Sequence, residues 1–141
     1  MNIVTKPERG MKVLIITGDR NAARYAPERA RWQAAISGVI EQAFDGDRLN
    51  AAVVAGTNDG IDRLAIELAM DVPMLVGRVP IERLVFTARQ FRSIGADVSF
   101  AVFHDSIFFS RSSRQILEDA RAHSFPAIVV SSRGHVQERA A

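Results

Sequence analysis

The chain has 141 residues, 48% hydrophobic and 24% charged, with a formal net charge of +2 and no cysteine. These values describe one globular domain with a real core and leave no length for a separate substrate domain. They exclude disulfides, thiolate catalysis and zinc–thiolate sites.

Of the 18 basic residues, all but Lys6 and Lys12 are arginine. Arginine offers phosphate or carboxylate a planar, bidentate fork that lysine lacks. Genomic base composition is the alternative source of that bias. Residues 1–10 are polar, lack the apolar run of a signal peptide, and read as a flexible arm. No apolar run approaches the ~20 residues needed to span a bilayer, so the expectation is a cytoplasmic protein without membrane contact.

In chain order, residues 12–16 form a short apolar run rich in β-branched side chains and ended by Thr17-Gly18-Asp19. This pattern predicts a central strand buried on both faces. A loop over 20–27 ends at Pro27, which suits the first helical position. The helix then runs to about Phe44, with Trp32, Ala35, Ile36, Val39, Ile40 and Ala43 on one face.

Residues 51–55 predict the second strand, and Asn58 or Asp59 is placed to cap the helix that follows through about Met70. Residues 72–76 read as a third strand, with Pro73 favouring an edge position. Next come a helix over 81–94, a strand over 97–103, a loop over 104–111, a helix over 112–123 and a strand over 126–130. Residues 132–141 read as a flexible tail. This alternation predicts an α/β, three-layer α/β/α Rossmann-like sandwich with a mainly parallel five-stranded sheet over residues 11–131. Ligands of such sheets sit at the carboxyl ends of the strands.

Two turns carry the strongest chemical signal. Each follows a strand and opens toward a helix, where exposed amides and the helix dipole favour anions. The first is Thr17-Gly18-Asp19-Arg20-Asn21. The second is Gly56-Thr57-Asn58-Asp59-Gly60-Ile61-Asp62-Arg63-Leu64-Ala65.

The first resembles the "TGxR" turn of the SLOG superfamily, the Rossmann-like domains related to the DNA-processing protein DprA and the LOG cytokinin-activating enzymes. The second resembles the "GGARGADRLA" signature of the YspA-like branch, keeping Gly56, Gly60, Asp62, Arg63, Leu64 and Ala65. Residues 89–103 and the closing helix and strand extend the likeness over roughly residues 11–131. The chain departs from the pattern at Thr57, where the family has glycine, and at Asp59, where it has arginine. The "PGGxGTxxE" motif of LOG-type enzymes is absent, which counts against phosphoribohydrolase chemistry.

From the residues themselves, Gly18 frees backbone amides, Asp19 suits a ribose hydroxyl or base edge, and Arg20 suits a phosphate. The alternative is a capped turn with a surface arginine. Gly56, Thr57, Asn58 and Gly60 form a candidate anion cradle, or else a plain strand–helix connection. Asp59 disfavours a ligand bearing several phosphates. Asp62 either caps the helix or lines the pocket. Arg89 either reaches the cleft or is a solvated helix arginine, and His104, which ends a strand, is a candidate pocket hydrogen-bonder or an ordinary loop residue. Ser112, with Ser110 and Ser113, caps the last helix or contacts phosphate. Phe108 and Phe109 stack on a base or pack in a subunit interface. No metal-ligand spacing is present, and no cofactor is indicated.

The expected function is recognition of a nucleotide or nucleotide-derived molecule, such as an ADP-ribose-like or phosphoribosyl ligand, by a sensor or binding protein. The alternatives are a hydrolase of an N-glycosidic or phosphoester bond and, ranked last, a single-stranded nucleic-acid binder. The resemblance also implies a homo-oligomer, for which Leu84, Val85, Phe86, Phe91 and Ile94 and the Phe108–Phe109 loop offer apolar surface.

Overall fold

The computed structural model describes residues 10–22, 25–44, 50–70, 75–105 and 111–138. Among these described residues eleven elements follow one another: β1 (Lys12–Gly18), α1 (Ala26–Phe44), β2 (Ala51–Ala55), α2 (Ile61–Ala69), β3 (Leu75–Arg78), a 3-10 turn (Ile81–Arg83), α3 (Leu84–Ser93), β4 (Asp97–Phe103), α4 (Arg111–Ala122), β5 (Ala127–Val130) and β6 (Val136–Glu138). The sheet order is β3-β2-β1-β4-β5-β6. β1 to β5 are all parallel, as the alternation of strand and helix requires.

β1 is the centre of the sheet, and everything from Val13 to Gly18 along it is buried. Its side chains divide by parity. Leu14 and Ile16 join Val53 and Ala55 in one core with α1 and α2. Val13 and Ile15 join Ala52 and Val54 in a second core with α3 and α4. Each Val, Leu or Ile side chain among them contributes about 1.5–3 kcal/mol on burial, so a strand apolar on both faces is stable only between two helical layers. Trp32 belongs to the first core: it is 1% exposed and stands edge-on to Phe103, with ring centroids 6.3 Å apart.

Four features differ from the sequence reading, the first being the third strand, expected over 72–76 and observed at Leu75–Arg78. The third helix opens as the 3-10 turn Ile81–Arg83 before becoming α-helical at Leu84. Leu84 and Phe91 lie in the second core, at 0% and 6% exposure, so the proposed contact face of α3 loses them; Phe86 and Ile94 remain exposed. Both buried residues point at the sheet because α3 covers β4 there. Finally, residues 131–134 turn the chain back and β6 pairs antiparallel to β5, within the stretch that reads as tail. Three residues are too few to leave a periodic signature in the sequence. Pro73, Phe108, Phe109 and Ser110 lie outside the described residues. No helix among the described residues is long and apolar enough to cross a membrane.

The chain reverses its direction across the sheet between β1 and β4. From β1 it winds outward through β2 to β3, and from β4 through β5 to β6. The turns after β1 and β2 leave the same edge of the sheet, side by side, because those strands are parallel neighbours.

Candidate functional site

The two glycine turns are locked to each other by backbone. The Asp19 carbonyl accepts from the amides of Ile61 (3.2 Å) and Ala22 (3.3 Å), while the Asp19 amide donates to the Phe103 carbonyl (3.1 Å). Gly60 takes a φ of 72° and packs its Cα on the backbone of Asp19 and Arg20. A side chain there would be strained in conformation and would also collide with that backbone. Gly18 is equally confined, since a Cβ would run into the Phe103 carbonyl and the Ile61 side chain.

Beneath the second turn lies a buried charge. Asp62, in the first turn of α2, is 0% exposed. Its Oδ2 accepts a hydrogen bond from the Asn58 amide (3.2 Å) and lies against the Cα of Gly56. Arg78, at the end of β3, grips the same turn from the other side. Its Nε donates to the Gly56 carbonyl (2.9 Å) and its Nη2 to the Asn58 carbonyl (2.6 Å). The carboxylate thus serves the turn's donor and the guanidinium serves its acceptors. This replaces the expected capping by Asn58 or Asp59: Gly60 occupies the N-cap with no side-chain bond, because Asp62 reaches back from inside the helix to the Asn58 amide.

Burial pushes the Asp62 carboxyl up from 3.8 to about 6, against the lowering pull of the Thr17 hydroxyl, the Asn58 amide, the Arg78 charge and the Gly18 amide. Thr17 is also fully buried. Neither its Oγ1 nor Asp62 Oδ1 completes a well-formed hydrogen bond among the described residues. The Thr17 hydroxyl therefore polarises the carboxylate without closing a full bond.

The outer face of the same turn opens on a cleft of about 720 Å³, lined by Thr57, Asn58, Asp59 and Gly60 on one side. Arg20 and Asn21 come from the turn after β1, Arg29 from α1, and Arg63, Leu64 and Glu67 from α2. Its size is that of a small-molecule site. Its chemistry is cationic and polar, with three arginines against two carboxylates. Arg29 Nη2 meets Glu67 Oε2 at 2.8 Å, and Arg63 Nε meets Glu67 Oε1 at 3.3 Å. These pairs are solvent-exposed and hold the guanidinium groups weakly. Arg20 is exposed and forms no ion pair among the described residues.

The structure brings Arg20, Thr57, Asn58, Asp59 and Gly60 to one cleft. Thr17, Gly18, Gly56 and Asp62 stand behind its wall, where Ile61 and the Asp62 carboxylate fill the space between the two glycine turns. The Asp19 carboxylate is turned to its own loop, with Oδ1 accepting from the Asn21 amide at 2.8 Å. Arg89 is exposed on α3, whose core lies on the opposite face of the sheet from α1 and α2. His104 follows β4 with its amide donating to the Val130 carbonyl, and Ser112 is exposed in the first turn of α4. None of these last three lines the cleft.

Sequence reading alone missed Arg29, Glu67 and Arg78 as parts of this region and gave Arg63, inside the second motif, no role of its own. Arg78 carries a recognisable signal, a charge ending an otherwise apolar strand. Arg29 and Glu67 are 38 residues apart and meet only because α1 and α2 share a face. Among the described residues no three His, Asp or Glu side chains gather as a metal site would require. No protein-family model matches this chain, and no curated protein or solved structure matches it.

Proposed function

We propose that this chain is a SLOG-like domain that binds a nucleotide or nucleotide-derived anion, of the ADP-ribose or phosphoribosyl kind, in the cleft on the outer face of the second glycine turn, beside α1 and α2. The observation that carries the reading is the convergence of Arg20, Arg29 and Arg63 on one polar hollow at the carboxyl edge of a parallel sheet. Arg20 supplies an exposed guanidinium for phosphate, and Arg29 and Arg63 can exchange Glu67 for a ligand oxygen. Thr57 and Asn58 add neutral donors. Asp59 accepts from a sugar hydroxyl or a base amine, which balances the charge of a ligand with few phosphates.

Binding is favoured over turnover by the position of the acids. Asp62, whose carboxyl burial displaces toward neutrality, stands behind the cleft wall, out of reach of a bound molecule. Single-stranded nucleic acid is disfavoured because no aromatic side chain among the described residues lines the cleft for a base to stack on. Self-association, implied by the resemblance, would draw on the exposed Phe86 and Ile94 of α3.

The test is incubation with a panel of nucleotides, ADP-ribose and dinucleotides, followed by both calorimetry and product analysis. The reading expects saturable binding with the ligand recovered intact. Release of free base or ribose phosphate would replace it with the hydrolase reading.

A further inference from the structure

We propose that Asp62 is a resident anion in the cradle at the start of α2, so that binding of an external anion in the adjoining cleft is coupled to proton uptake by this carboxyl. The inference rests on the binding reading above and deepens it.

The cradle is complete without any ligand. The amide of Asn58, which a free anion would take, is already given to Asp62 Oδ2. The carboxylate lies against Gly56, where only a missing side chain leaves room for it. The wall of the cleft and the bed of the carboxylate are therefore two faces of one turn, Gly56 to Gly60. A negative charge arriving on the outer face meets a fixed negative charge on the inner one.

The groups that face Asp62 are few. β1 presents the Thr17 hydroxyl and the Gly18 amide, the turn presents the Asn58 amide, and β3 presents the Arg78 guanidinium. Among the described residues Arg78 is the charged group that faces it, and its hydrogen bonds go to the carbonyls of Gly56 and Asn58. It thus offsets the carboxylate through space without forming an ion pair with it. A proton is the simplest way to remove the remaining repulsion. Thr17 Oγ1, which acts on this carboxyl, and Asp62 Oδ1 are both buried without a hydrogen-bond partner among the described residues, which leaves Oδ1 open to the proton. Burial already holds the carboxyl near the point of protonation, at about 6. A ligand that raises this value takes up a proton on binding, and its affinity rises on acidification.

The experiment uses ADP-ribose, whose diphosphate keeps its charge across the range. Titration calorimetry at pH 6.5 in two buffers of different ionisation enthalpy reads the protons taken up. The expected result is net uptake, with affinity roughly fivefold tighter at pH 5.5 than at 7.5 for a one-unit rise in the carboxyl. Asp62→Asn is expected to bind with no proton uptake and no pH dependence. The Asn58 amide resonance of the free wild-type protein should titrate near pH 6, which reads the carboxyl independently of any ligand. Binding without proton uptake overturns this inference alone, as does an Asn58 amide that is flat between pH 5 and 7.5. Absence of binding by both proteins at both pH values overturns the binding reading, and this inference with it.

Discussion

The carboxylate of Asp62 occupies the space beside Gly56 in which any side chain at residue 56 would stand. Gly56→Ala therefore sets a methyl group against a buried charge that cannot move into solvent. Overpacking of this kind destabilises by about 1–3 kcal/mol. Urea unfolding should show a lower midpoint with an unchanged slope. In the double variant with Asp62→Ser, part of the loss should return, because the collision partner is gone. Strict additivity of the two substitutions would contradict the close contact.

The ionisation of Asp62 makes a signed prediction for stability. Its folded-state value, about 6, lies above the ordinary 3.8, so between these values the folded chain holds a proton that the unfolded chain has released. Stability from this group is then fullest below pH 3.8, falls as pH rises toward 6, and is level above it. Two pH units and a fraction correspond to about 3 kcal/mol as an upper bound. Other carboxylates titrate in the same range, so the measurable quantity is the difference between wild type and Asp62→Asn. The variant should gain Tm relative to wild type as pH rises from 4 to 6.5, and no further above that. A parallel pair of Tm curves would contradict the assignment.

Arg78 should matter to the fold more than a half-buried arginine usually does. Its two nitrogens hold two carbonyls of one turn, and bonds from a charged donor contribute about 1.5–3 kcal/mol each. Arg78→Met is expected to destabilise by about 2–4 kcal/mol and to raise the Asp62 carboxyl further, since the Arg78 charge lowers it. Arg78→Lys should restore little, because a single ammonium cannot span both carbonyls in the geometry of the fork. Full rescue by lysine, measured by chemical denaturation, would show that charge alone suffices.

Glu67 provides the reverse case. It binds Arg29 and Arg63 at the mouth of the cleft, with all three side chains well exposed. Glu67→Gln should leave stability within about 1 kcal/mol, yet tighten the binding of nucleotide-derived anions by freeing two guanidinium groups. Weaker binding by this variant would mean that Glu67 positions the arginines and does not compete with the ligand for them.

The architecture was legible in the sequence wherever periodicity was strong. The β-branched run ahead of Gly18 and the inward face from Trp32 to Ile40 both lie where the spacing places them. The turn at Gly56 to Gly60 was legible as a special junction, but its internal wiring was not. In sequence, Asp62 is an ordinary first-turn acid that suits a helix dipole. Its burial follows from the packing of β1 and β3 around it, which brings Thr17 and Arg78 from 45 residues before and 16 after. Leu84 and Phe91 show the converse: an apolar helix face reads alike whether it meets a sheet or a partner, and only the position of β4 decides. The lower wall of the cleft escaped because Arg29 and Glu67 are united by the shared face of α1 and α2 and by nothing local.

The most direct test of the account is a thermal-shift and calorimetric comparison of the wild-type chain with Arg20→Ser/Arg63→Ser across nucleotides, ADP-ribose and dinucleotides. At least one of these ligands should raise the wild-type Tm in a concentration-dependent way, and the double variant, folded and of similar Tm when ligand-free, should respond at least tenfold more weakly. No shift with any ligand, or an equal shift in both proteins, would contradict a nucleotide site in this cleft.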